Sequence, residues 1–337
     1  MTETSVVISR VGHLGRLHLN RPKALNSLTL EMIRLLQASL SEFEDDDDIA
    51  SVLITGEGTR AFCAGGDIIA LFNATDTNGA EAITFWSEEY DLNARIASYP
   101  KPYIAVMDGI TMGGGVGLSV HGSHRIVTDR TKFAMPEVGI GLFPDVGGTW
   151  VLSKQVAGEM GTYIGMTGDV LRAGDAISAD LADSYMTSDT LPALISALAV
   201  STDREAVSRS IDALSTVFPA PVIDQNRAVI DATFAHETVE DIIAALTSLD
   251  TSFARTTLTT LAQKSPSSLK MTLALLRAGR GSHNLQQCLD RELGAVIQMF
   301  GQPDFREGVR AAVIDKDRNP QWVPKKLAEV SIPTFET

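Results

Sequence analysis

Hydrophobic positions follow two rhythms over the first 190 residues. SVVISRVGHLGRLHLN alternates Val, Ile and Leu with polar residues, which predicts two short strands joined near Gly12–Gly15. TLEMIRLLQASLSEFEDD then places Met32, Leu35, Leu36, Leu40 and Phe43 at helical spacing, with Thr29 as N-cap. SVLITG, KPYIAVMDG and HRIVTD read as further short strands, and Pro102 sits near the start of the second, where its missing N–H does least harm. Strands alternating with helices predict an α/β fold whose sheet faces are covered.

After about residue 190 the pattern is helical almost throughout, from LPALISALAV to GVRAAVIDKD. The short breaks FPAPVID, KSPSS, GRGSHN and GQPD punctuate it. The expected organisation is an α/β core over residues 1–190 and a helical region over 191–337. Neither an internal repeat nor a low-complexity tract interrupts it.

Composition narrows the function classes. The chain has 337 residues, 44% hydrophobic and 21% charged, as in an ordinary soluble globular protein. Its apolar runs break well before the roughly 20 residues that a bilayer crossing needs. MTETSVVISR has no basic segment leading into an apolar one, so the expected location is cytoplasmic. A net charge of −14 argues against nucleic acid or anionic membrane as partners. The run EDDDDIA from Glu44 reads as a solvated helix end. Cys63 and Cys288 show neither CxxC nor metal-ligand spacing, so two reduced thiols and no metal site are expected.

Three glycine-rich turns carry the candidate chemistry: AFCAGGDI, GITMGGGVGLS and MPEVGIGLFPDVGG. Glycines after a strand let a ligand approach backbone N–H groups, and a helix starting at Gly114 would direct free N–H groups at a developing anion. The first two turns lack the dinucleotide fingerprint, and no Gly-Lys-Ser/Thr ending supports a P-loop. The third holds Glu137 and Asp145, each after a proline and among apolar residues. Desolvation disfavours a carboxylate unless something pairs with it. From the residues alone, Glu137 suits either a helix N-terminus or catalysis, and Asp145 either a turn or catalysis.

Taken in order, LNRPKALNSL, FCAGGDI, GGGVGLS, MPEVGIGLFPDVGG and MTGDVLRAGDAISADLADSYM resemble the crotonase (enoyl-CoA hydratase/isomerase) superfamily. The resemblance implies a crotonase (ClpP-like) spiral of ββα units with a C-terminal helical region, and a bent coenzyme A thioester as substrate. It also implies an oxyanion hole of two backbone N–H groups, here Gly66 and Gly114. Two preorganised donors suit an oxygen that gains charge, and losing one from such a hole costs about 10²–10³ in rate.

Hydratases of the superfamily use two glutamates, and this chain has Gly117 at one of the two positions and Glu137 at the other. Asp145 stands where typical hydratases carry glycine. This Glu/Asp pair and the tail EGVRAAVIDKDRNPQW are similar to the 3-hydroxyisobutyryl-CoA hydrolase branch. The resemblance therefore implies hydrolysis of a short β-hydroxyacyl-CoA, with Glu137 as nucleophile or general base and Asp145 handling the water. Hydration or isomerisation with Glu137 alone is the alternative, and a non-catalytic coenzyme A-binding protein is the third. No cofactor is implied beyond the coenzyme A of the substrate.

Arg21 and Lys23 are the candidate cations for its phosphates, and the backbone at Ala64 and Ile68 would meet the adenine. Asp67 is expected to order its own loop. His121, His124, Ser119 and Cys63 read as structural. Superfamily members form trimers and hexamers through C-terminal helices, which leaves a homo-oligomer open here.

Overall fold

The computed structural model describes residues 4–74 and 79–332. The alternating start folds as expected into strands β1 (Val6–Val11) and β2 (Leu14–Leu19), antiparallel with Val6 opposite Leu19. Helix α1 (Leu30–Asp45) follows, and the Thr29 hydroxyl caps it by accepting from Met32 N–H. Met32, Ile33, Leu36, Leu40 and Phe43 form its buried face. Further strands are β3 (Ser51–Gly56), β4 (Ala61–Cys63), β5 (Tyr103–Met107), β6 (Ile110–Met112), β7 (His124–Val127), β8 (Lys132–Ala134) and β9 (Ser184–Tyr185). One sheet runs β1-β2-β3-β5-β7-β9, parallel from β2 onward, and a small second sheet runs β4-β6-β8. Helices α2 (Ile68–Ala74), α3 (Ala80–Ala97), α4 (Gly114–Gly117) and α5 (Gly148–Trp150) complete the elements that matter below.

The chain divides into two compact units, each drawn from separate stretches of sequence. The first takes in residues up to Gly66, Ser87–Phe133 and Val170–Val222. The second takes in Asp67–Trp86, Ala134–Asp169 and the chain from Ile223. Within the first, Leu14, Leu53, Ile104, Val106 and Ile126 of the large sheet pack with Leu194, Leu198, Val207 and Ile211 of two following helices. The compositional boundary near residue 190 thus falls inside this unit. The second unit is mainly helical, and Trp86, Phe300 and Phe305 meet edge-on or tilted with ring centroids 5.2–6.4 Å apart.

Candidate active site

In the first unit, β4 and β6 run parallel, with Cys63 beside Thr111, and deliver two glycine turns to the same place. Gly65 has φ +104°, a conformation that side-chain-bearing residues rarely adopt. A Cβ added there would lie 3.6 Å from the Gly114 nitrogen, so the two turns are in contact. A Cβ on Gly115 would overlap the Cys63 carbonyl oxygen. Glycine is needed here because the backbones of the two turns approach closely.

The two expected donors are left open by the local bonding. Gly66 forms a parallel bridge with Leu28, whose N–H donates to the Gly65 carbonyl at 2.8 Å. Such a bridge directs its bonds to the peptides flanking Gly66 and leaves the Gly66 N–H on the other side. Gly114 is the first residue of α4, and the first N–H of a helix has no partner within it.

Glu89 of α3 lies against Gly114, close enough that its Oε1 would overlap a Cβ there. It is 2% exposed. Sequence reasoning passes over Glu89, although an acid on the buried stripe Phe85, Glu89, Leu92 and Ile96 is a signal that could find it. Burial pushes the Cys63 thiol up to about 12, with the Glu89 charge adding to the effect. A thiol so held is protonated at neutral pH and is no nucleophile.

Both candidate acids lie in the second unit, each 6% exposed. Glu137 opens a 3₁₀ turn, Glu137–Gly139, and its carbonyl accepts from Ile140 and Leu142 N–H, each at 3.0 Å. The Ser265 N–H donates to Val138 at 3.2 Å, which ties this turn to the start of the Pro266–Gly281 helix. Asp145 begins a tighter turn, and its carbonyl accepts from Gly148 N–H at 2.7 Å. Val146 and Gly147 both have left-handed backbones, at φ 54° and 77°. A β-branched residue there costs about 1–3 kcal/mol and persists only where its surroundings enforce it.

Glu292, on the Leu285–Phe300 helix, supplies part of that enforcement. Its carboxyl accepts from Gly147 N–H at 2.7 Å, from Thr149 N–H at 3.0 Å and from the Thr149 hydroxyl. It has no exposed surface. Burial pushes it up to about 8; the three donors pull the other way, and the negative charge of Asp145 adds to the rise. Sequence reasoning misses Glu292 too. Its signal is again an acid on an apolar stripe, with Cys288, Leu289, Ala295, Val296 and Met299.

The candidate coenzyme contacts are placed individually. Arg21 precedes the turn Pro22–Ala24 and donates to the Ser27 carbonyl at 2.6 Å, so part of its guanidinium braces its own loop. Lys23 is exposed on that turn. The Ala64 N–H donates to the Leu25 carbonyl at 3.1 Å. Ile68 opens α2 and is half-buried. Asp67 accepts from Ala70 N–H at 3.3 Å, ordering its own loop as expected. His124 contacts the Ser123 and Ser208 hydroxyls, each at 3.0 Å, and burial lowers its pKa. The Ser119 hydroxyl donates to Gly115 at 2.8 Å.

Among the described residues no group of His, Cys, Asp or Glu is arranged to hold a metal, and no helix is long and apolar enough to cross a membrane.

Known proteins are similar to this chain over nearly its whole length. The mitochondrial 3-hydroxyisobutyryl-CoA hydrolase of Xenopus laevis is 42% identical over 332 residues, covering 96% of this chain and 86% of that protein. The corresponding Homo sapiens protein is 40% identical, covering 97% and 86%. A solved structure described as a carnitinyl-CoA dehydratase from Mycobacterium thermoresistibile superposes with a TM-score of 0.93 at 41% identity, covering 98% of this chain and 94% of that one. An enoyl-CoA hydratase structure from Rhodobacter sphaeroides gives 0.89 at 40% identity, covering 97% and 95%. The names of these relatives divide between hydrolase, dehydratase and hydratase. The family model for enoyl-CoA hydratase/isomerase matches residues 14–336, and the chain belongs to that family, with its α/β crotonase fold.

Proposed function

We propose that this protein hydrolyses a short β-hydroxyacyl-CoA thioester, with 3-hydroxyisobutyryl-CoA as the first substrate to test. The observation that carries the reading is the pair of buried acids Glu137 and Asp145 on two successive turns of one unit, with glycine at 117 in place of a second hydratase glutamate. The identity of 40–42% to 3-hydroxyisobutyryl-CoA hydrolases supports it.

In this reading the Gly66 and Gly114 N–H groups hold the thioester oxygen as it gains charge. Glu137 attacks the carbonyl carbon, the C–S bond breaks, and coenzyme A leaves as the thiolate, which takes up a proton from solvent, giving a mixed anhydride. Asp145 takes a proton from water, which opens the anhydride, frees the hydroxy acid and restores the Glu137 carboxylate. The same two acids also serve a direct attack of water. Arg21 and Lys23 would meet phosphates of coenzyme A, and the backbone at Ala64 and Ile68 the adenine. Glu89, lying against Gly114, is a candidate acceptor for the substrate hydroxyl.

Thiol release from 3-hydroxyisobutyryl-CoA, measured beside hydration of crotonyl-CoA, tests the assignment. Rapid thiol release that falls by about 10²–10⁴ in Glu137→Gln is expected. Rapid hydration without thiol release would overturn it.

A further inference from the structure

Glu292 is a buried acid that the proposed chemistry leaves without a task. Its partners are two backbone N–H groups and one hydroxyl, all within Gly147–Thr149, so the side chain works as a clamp on the turn that Asp145 begins. Between the clamp and Asp145 stands only Val146, whose left-handed backbone is unfavourable for a β-branched residue. A strained turn relaxes unless it is held at both ends. One end is the bond from Gly148 N–H to the Asp145 carbonyl, and the other is the Gly147 N–H to Glu292 bond.

The chemistry of the clamp matters as well as its shape. A carboxyl group can accept on both oxygens even when one carries its proton, because a hydroxyl oxygen keeps lone pairs, and here Oε2 meets the Gly147 N–H while Oε1 meets the Thr149 N–H and hydroxyl. A glutamine of the same length keeps one acceptor but turns the other oxygen into an N–H donor facing a donor. The turn then has to move, and a shift of about 1 Å in a reacting group costs on the order of 10²-fold in rate.

We infer that Glu292 is the positioning residue of Asp145, fixing through Gly147 and Thr149 the turn that aims its carboxylate. The inference rests on the hydrolase reading, in which Asp145 acts on water.

The test is a double-mutant cycle on the full chain, reading kcat and KM for thiol release from 3-hydroxyisobutyryl-CoA. Glu292→Gln is expected to lower kcat tenfold or more with KM within threefold, because substrate binding does not use Asp145. Placed in an Asp145→Asn background, the same change is expected to cost less than threefold, since the group it aims is already disabled. A loss under tenfold in the parent, a matching change in KM, or a loss of threefold or more in Asp145→Asn would overturn the inference. If Asp145→Asn leaves no measurable rate, the split between kcat and KM in the parent decides. If Glu292→Gln does not fold, Thr149→Val removes one donor instead. Its kcat should fall at least threefold at unchanged KM, and a smaller fall refutes the clamp. An Asp145→Asn enzyme that keeps half of the parent rate would remove Asp145 from the reaction and the inference with it. An inactive Asp145→Asn beside an indifferent Glu292→Gln refutes the inference alone.

Discussion

Cys63 lies three residues before the Gly66 donor, and burial decides its chemistry. A thiol pushed up to about 12 has a negligible thiolate fraction at neutral pH. Iodoacetamide at a pH of about 7.5 should therefore leave Cys63 unlabelled in the folded protein and label it after denaturation, as peptide mass mapping would read. Labelling of the native protein at the rate of a free thiol would contradict the burial. At this scale the sequence is informative where motifs are contiguous: Glu137, Asp145 and the glycine triplet sit in stretches whose order carries the family resemblance. Glu89 and Glu292 are illegible as site residues for a physical reason. Each joins its neighbours only through tertiary packing, and Glu292 lies 145 residues from the Gly147 N–H that it accepts from.

Among the elements, the Leu285–Phe300 helix carries a fully buried acid. The Glu292 carboxyl is pushed up to about 8 in the folded chain against an ordinary 4.5, so the native state binds its proton more tightly than the unfolded state. The stabilisation from that proton is fully present below about 4.5 and is lost as pH rises toward about 8. The parent Tm should therefore fall more steeply between about pH 5 and pH 8 than that of Glu292→Gln, which has no proton to lose. Parallel melting curves across that range would refute the assignment. The main sheet and α1 are legible because their strands and helix are long enough to show a period. The strands β4, β6 and β8 have three residues each, too few for alternation to register, yet β4 and β6 bring the glycine turns together.

For the molecule as a whole, the chain passes between the two units several times. Leu194, Leu198, Val207 and Ile211 are buried against the large sheet although they follow the stretch that carries its strands. Removing them forfeits the burial of four side chains worth roughly 1.5–3 kcal/mol each, a sum comparable to the typical stability of about 5–15 kcal/mol. A fragment ending at residue 190 is thus expected to lack a cooperative thermal transition by circular dichroism. A sharp transition in that fragment would mean the sheet is stable without those helices.

The reach of Glu292 also has a consequence during synthesis. The turn carrying Asp145 leaves the ribosome long before the helix that clamps it, and the Val146 conformation has no support from Glu292 in that interval. Domains form as units as the chain emerges, and segments waiting for late partners expose apolar surface. The acids of this unit therefore complete their frame among its last-made parts, so a nascent chain stalled before residue 292 should hold the Asp145 turn unformed.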